Sequence, residues 1–197
     1  MTRFLDLVPT PAVREKEKIS MALVGTSGSG KTAGALILAK GIIRGMFPDL
    51  DDTSPEFWRK IWIADTEHNR SKAYANTTIP LTNTYVGSFM HIDFKAPYSP
   101  ERVTALYDMA IESGCEVLII DSATSTWAGT GGIQDVQQNL GGTFQDWRKI
   151  KPEEERVYDI LFRSKHIHVI STVRAKASYD ITSGETGKLQ INKGGLN

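Results

Sequence analysis

One stretch of eight residues constrains this chain more than any other: Gly25-Thr-Ser-Gly-Ser-Gly-Lys31-Thr32. It matches the pattern G-x-x-x-x-G-K-[ST] in full. Its surroundings are as informative as the pattern. Ile19-Ser-Met-Ala-Leu-Val24 is apolar and stops at Gly25, which predicts a buried strand. From Lys31 to about Arg44 a helix is expected, carrying Leu36, Ile37, Ala39, Lys40 and Ile43, with Gly45 and Pro48 to end it. A glycine-rich turn that merely joins strand to helix is the bland alternative. The flanking elements favour a chemical role. A loop that wraps an anion must expose backbone N–H groups without side-chain obstruction and aim a helix N-terminus at the bound charge.

The rest of the chain repeats the alternation. Asp49–Pro55 reads as a polar connection. Strands are predicted at Ile61-Trp-Ile-Ala-Asp65, Phe89-Met-His-Ile-Asp93, Val117-Leu-Ile-Ile-Asp121 and Ile167-His-Val-Ile-Ser-Thr172. Helices are predicted at Pro100–Ser113, with proline early and Gly114 just past the end, and at Pro152–Ser164, with Glu153, Glu154 and Glu155 placed against its N-terminal dipole. Residues 122–143, rich in Gly, Ser and Thr, read as a long mobile loop, and Tyr179–Asn192 reads as a hairpin around Ser-Gly-Glu-Thr-Gly187. Strands alternating with helices imply an α/β protein with a mainly parallel sheet covered on both faces. Such sheets bind ligands at the carboxyl ends of their strands. Asp65, Asp121 and Thr172 all end strands and belong on that rim. Residues 1–17, with Pro9, Pro11 and then alternating charges, read as an N-terminal leader to a domain over 18–197.

These positions suggest a division of labour around a bound nucleotide, with ATP and Mg²⁺ as the expected cofactors. Gly25, Thr26, Ser27, Gly28, Ser29 and Gly30 would cradle the phosphates, Lys31 would reach the β- and γ-phosphates, and the Thr32 hydroxyl would bind Mg²⁺. Asp121, ending the most apolar strand, would hold a Mg²⁺-bound water opposite Thr32; a turn or cap aspartate is the plain alternative. Glu67, two residues past the second strand, is placed to orient or deprotonate water. Asp65 competes for that role. Thr172 is placed to sense the γ-phosphate, and Arg174 and Lys176 to reach phosphate or a nucleic-acid backbone; a solvated basic turn carries equal weight.

Other chemistry-bearing side chains favour structural roles. His166 and His168 share a strand face but lack a third ligand. Trp127 and Trp147 flank the glycine-rich segment and suit loop anchoring better than base stacking. Trp58 and Trp62 suit the core or a helix surface. Cys115 is the one cysteine of 197 residues and suits a buried apolar site, so the chain can form no internal disulfide. That fits a reducing, cytoplasmic setting. Lys+Arg and Asp+Glu number 23 each, so no overall charge draws the chain to nucleic acid or to a membrane surface. From Arg148 onward, however, ten basic residues face six acidic ones. The apolar run Ala33–Ile43 is too short to span a bilayer.

Several segments together resemble the RecA-like branch of P-loop ATPases. Trp62-Ile-Ala-Asp-Thr-Glu67-His68 resembles the segment whose glutamate activates water, and Leu118-Ile-Ile-Asp-Ser122 the Mg²⁺-binding strand. Ile170-Ser-Thr-Val-Arg-Ala-Lys176 resembles the strand end that couples γ-phosphate to a DNA-binding loop. Gly184-Glu-Thr-Gly-Lys-Leu-Gln-Ile-Asn-Lys193 resembles the later hairpin whose lysines touch ATP in the neighbouring subunit. Phe144-Gln-Asp-Trp-Arg-Lys-Ile-Lys-Pro152, followed by His168-Val-Ile-Ser-Thr-Val-Arg-Ala-Lys176, is similar to the small phage nucleotide-binding ATPases of AAA type, among them RecA-like single-strand annealing proteins. The resemblance covers about residues 18–195. It implies sheet order 3-2-4-5-1 with a C-terminal hairpin, Glu67 as catalytic base, and Lys193 as a cation acting in trans. It also implies a homo-oligomeric ring or filament with ATP between subunits, and a phage-encoded ATPase of DNA recombination or replication that binds or anneals single-stranded DNA in the host cytoplasm. The sequence departs from RecA in carrying Thr172 where RecA has glutamine, and in a stretch after Lys176 too brief for RecA's second DNA loop. Two alternatives share the cradle: a nucleotide-switched assembly protein that hydrolyses slowly, and a small-molecule or nucleotide kinase.

Overall fold

The computed structural model describes residues 9–13 and 16–175 in full, and the backbone of 177–183 and 189–196. The chain runs β1 (Ser20–Gly25), α1 (Lys31–Met46), α2 (Pro55–Arg59), β2 (Ile61–Asp65), a 3-10 turn (Arg70–Tyr74), β3 (Thr77–Ile79), β4 (Thr84–Val86), β5 (Met90–Asp93), α3 (Pro100–Glu112), β6 (Val117–Asp121), α4 (Thr124–Ala128), α5 (Ile133–Asn139), α6 (Trp147–Phe162), β7 (His168–Arg174), β8 (Ala177–Ser183) and β9 (Leu189–Leu196). Five strands form one parallel sheet in the order β1-β7-β6-β2-β5. Counted as the five strands predicted from sequence, that is the expected order 3-2-4-5-1. β8 and β9 pair antiparallel as the expected C-terminal hairpin.

Alternation along the central strands splits the core in two. Ile61 and Ile63 of β2, Val117 and Ile119 of β6, and Ile170 of β7 face α1 and α2, packing against Ala35, Leu36, Ala39, Ile43, Phe57 and Trp58. Trp62, Ala64, Leu118, Ile120 and Val169 face α3, α5 and α6. A side-chain period of two makes consecutive apolar residues serve opposite faces, so an unbroken run such as VLII is what a strand buried on both faces requires. Each such side chain contributes roughly 1.5–3 kcal/mol by leaving water. Lys40 is buried on the α1 side. Its ammonium donates to the Tyr85 carbonyl at 3.0 Å and pairs with Asp52 at 3.2 Å, so the charge is not stranded.

The structure corrects three expectations. Residues 122–143 hold two short helices, α4 and α5, and Ile133 and Gln137 within them are buried. Polar and glycine-rich composition masked a segment that covers one end of the core. Second, α6 begins at Trp147 rather than at Pro152, so the proline lies inside the helix and the three glutamates lie past its first turn, away from the dipole. Asp146 precedes the helix without capping its N–H groups; its carboxylate accepts from the Thr143 hydroxyl and N–H and pairs with Lys149 at 2.7 Å, tying the preceding turn to the first helical turn. The Lys149 ammonium first, then the Thr143 donors, bring the Asp146 carboxyl down to about 2. Third, α2 and the hairpin of β3 with β4 lie in stretches for which no element was predicted. The α2 signal is local: the Ser54 hydroxyl accepts from Phe57 N–H at 3.2 Å and Pro55 opens the helix.

Two further readings change: β1, expected to be buried, is an edge strand that leaves Val24 exposed, and His166 lies exposed ahead of β7 rather than on a strand face with His168. Trp58, Trp62 and Cys115 are buried, and burial first of all pushes the Cys115 thiol up to about 12. His168 is buried with Nδ1 accepting from Ile19 N–H at 2.8 Å, and burial lowers its pKa. Trp127 and Trp147 stack on each other, centroids 6.0 Å apart and planes within 20°. Among the described residues, no helix is long and apolar enough to cross a membrane, and no cluster of His, Cys, Asp and Glu is arranged to hold a metal.

Candidate active site

The carboxyl ends of β1, β7, β6 and β2 converge on the loop between β1 and α1. Gly28 and Gly30 have φ of +79° and +82°, in the region that favours glycine, so the turn closes without strain. α1 opens at Lys31 with no side chain capping its first turn. Its first N–H groups therefore lack a partner from any capping side chain, the condition for gripping an anion. The Lys31 ammonium donates to the Gly25 and Thr26 carbonyls at 2.9 and 2.8 Å. It lies folded over the loop that it would share with a phosphate.

Asp121 is buried at the end of β6 and joins the loop to the sheet. Its Oδ2 accepts from the Thr32 hydroxyl at 2.5 Å, and its Oδ1 accepts from the Thr172 hydroxyl. Thr172 is fully buried, so it acts on the site through Asp121. This hydroxyl–carboxylate–hydroxyl chain is all oxygen, the hard donor set that Mg²⁺ prefers. The residues therefore fit a Mg²⁺–triphosphate, with Thr32 and Asp121 to hold the ion and its water.

Asp65 and Glu67, rivals in the sequence, have different surroundings. Asp65 is buried; its Oδ1 accepts from Glu67 N–H at 2.7 Å, and its Oδ2 from the Ser71 N–H at 2.9 Å and hydroxyl at 2.6 Å. His91 Nε2 lies 3.5 Å away. Burial raises the Asp65 pKa, but the Ser71 and Glu67 donors outweigh it and leave the pKa below its ordinary value. That carboxylate is a brace for the turn. The turn passes through His68 and Asn69 at φ of 59° and 64° and sends Glu67 toward the phosphate loop.

Glu67 meets Arg174 there: Nε donates to Oε1 at 2.6 Å, and Arg70 stands 3.8 Å from Oε2. The Glu67 hydrogen bond holds the Arg174 guanidinium above its ordinary pKa. A cavity of about 220 Å³ is lined by residues 27–32 together with Glu67, Arg70, Asp121 and Arg174. A wider cavity of about 720 Å³ adjoins it, sharing Ser27, Glu67, Arg70 and Arg174 and adding the hydroxyls of Thr66, Ser122, Thr124 and Ser125. Lys31, Thr32, Asp121, Glu67 and Arg174 are thus brought together. Lys176 lies outside the described residues, and of Lys193 only the backbone, in β9, is described. Sequence reasoning missed Arg70, although a cation three residues after Glu67 was a visible signal. It also missed Ser71 and Thr124, for which spacing offered none.

A parallel sheet, a glycine loop at its carboxyl edge and a buried aspartate hydrogen-bonded to the loop threonine define a nucleotide-binding P-loop protein. A family model described as an AAA domain matches residues 17–195, and the chain belongs to that family. No curated protein matches it.

Proposed function

We propose that this protein is a Mg²⁺-dependent ATPase in which Lys31 and the loop backbone bind the phosphates, Thr32 and Asp121 hold the metal and its water, and Glu67 prepares the attacking water. The chain Thr32–Asp121–Thr172 carries this reading, because it places a buried carboxylate at the mouth of the phosphate loop. When bound, the ion would neutralise charge on the terminal phosphate. Arg174 stands in cis beside Glu67 and supports completion of the site from within. The resemblance adds the rest: RecA-like assembly into a homo-oligomer, Lys176 or Lys193 as a further cation, a phage-encoded role in DNA recombination or replication with single-stranded DNA as partner, and the cytoplasm as the place of action.

Lys31→Ala should abolish turnover, whereas Glu67→Gln should keep ATP binding and lose hydrolysis. ATPase rate against protein concentration, with and without single-stranded DNA, tests assembly and partner together. A rate rising with both supports the DNA enzyme. A flat, slow rate supports the nucleotide-switched reading, which the Glu67–Arg174 ion pair also favours. The wider cavity beside Glu67 gives the kinase reading a place for an acceptor. Phosphoryl transfer to an added hydroxyl compound would decide for it.

A further inference from the structure

Arg174 is the last residue of β7 and sits opposite Gly25 in the register of the sheet. Its N–H donates to the Thr124 hydroxyl at 2.9 Å, and the next residue's N–H donates to the Gly25 carbonyl at 3.1 Å. The backbone of Arg174 is therefore fixed beside the phosphate loop, while its side chain is 44% exposed. The guanidinium lines the nucleotide cavity and the wider cavity, as does the carboxylate that it grips.

A carboxylate whose lone pair points into a guanidinium at 2.6 Å cannot at the same time take up a proton from water along that direction. A terminal phosphate offers the same guanidinium more charge and a bidentate edge. With the Arg174 side chain 44% exposed and that of Glu67 only 16%, water screens the pair from the arginine side, and the guanidinium can turn to a more highly charged partner. We propose that Arg174 is a positioning residue that holds Glu67 while no triphosphate is bound, and exchanges that carboxylate for the terminal phosphate when one arrives. The base is then released only by the nucleotide that can be hydrolysed. ADP, lacking the terminal group, leaves the pair closed. This deepens the proposed function and rests on the nucleotide site assigned there.

The test is a binding cycle with two probes, the non-hydrolysable analogue adenylyl imidodiphosphate and ADP, each titrated by calorimetry with Mg²⁺. Arg174→Gln should weaken the analogue on the order of tenfold, the loss of one charge-assisted contact, and leave ADP unchanged. Glu67→Gln should tighten the analogue several-fold, because Arg174 no longer has to be taken from a carboxylate, again without effect on ADP. In the double variant that tightening should vanish. Arg174→Lys should recover part of the analogue's affinity. Tightening by Glu67→Gln that persists in the Arg174→Gln background overturns the exchange, as does an equal loss of both nucleotides in Arg174→Gln. Hydrolysis by Glu67→Gln at the unaltered rate would remove Glu67 as the base, yet the exchange, read from binding alone, would stand. Failure of the unaltered protein to bind either probe removes the nucleotide site itself, and the exchange with it.

Discussion

β2 and β6 are neighbours in the sheet, and each ends on a buried aspartate, Asp65 and Asp121, which stand opposite each other in register. By residue type, strand position and burial the two are alike. Their partners separate them. Asp121 accepts from two hydroxyls, Thr32 and Thr172, each able to turn and serve as acceptor instead. Asp65 accepts from one hydroxyl and two backbone N–H groups, which can only donate. The first set can be rearranged around an incoming cation without loss of structure. The second cannot be rearranged at all, because it fixes the turn that carries Glu67. One aspartate is thus ready for a ligand and the other for the fold.

Replacing each carboxylate by its amide breaks or confirms that contrast. Asp121→Asn should cut ATP turnover by on the order of a hundredfold, because the charge that would face the proposed metal is gone. It should change stability little: an amide accepts from one threonine hydroxyl through Oδ1 and donates to the other through Nδ2. Asp65→Asn should behave in the opposite way. Its NH₂ would face a backbone N–H, donor against donor, at a cost of about 2 kcal/mol, or roughly 4–8 °C in melting temperature. That loss depends on pH. The Asp65 pKa is lowered in the folded state, so its contribution is in full force above the unfolded value and is lost as pH falls through the folded one. The two melting curves should converge below about pH 4. A larger thermal loss for Asp121→Asn than for Asp65→Asn would reverse the assignment.

The same contrast explains what the sequence discloses. The phosphate loop and the apolar strands were legible because each follows from local pattern: the loop from its glycine spacing, β2 and β6 from runs apolar on both faces. Strand order followed from the resemblance and agreed with the register. The difference between Asp65 and Asp121 was not legible, since it depends on Ser71 for one, and on Thr32 and Thr172, 89 and 51 residues away, for the other. The helices over 124–139 were missed for a related reason. Thr-Ser-Thr-Trp-Ala and Ile-Gln-Asp-Val-Gln-Gln-Asn carry little apolar periodicity, and the docking of Ile133 of α5 in the core is a tertiary contact that no local pattern shows. Arg174 was read as a strand-end cation, but its pairing with Glu67 joins positions 107 apart.

The smallest expected effects come from a matched pair that each removes one hydroxyl donor and nothing else. Thr172→Val keeps the shape of a fully buried side chain and deprives Asp121 of one donor. Ser71→Ala deprives Asp65 of its hydroxyl donor but leaves the Ser71 N–H in place. Each should lower stability by about 1 kcal/mol, the usual cost of one lost hydrogen bond to a buried acceptor. Their kinetics should differ. In Thr172→Val the carboxylate that would hold the proposed metal loses the partner that orients it, so kcat should change several-fold while the melting shift stays small. In Ser71→Ala, Glu67 N–H still ties the turn to Asp65, and any fall in kcat should be no more than the lost stability accounts for. Measuring kcat and melting temperature on both variants side by side checks this. Equal kinetic defects at equal stability would mean that Asp65 and Asp121 serve the reaction alike, and the distinction between brace and ligand would fail.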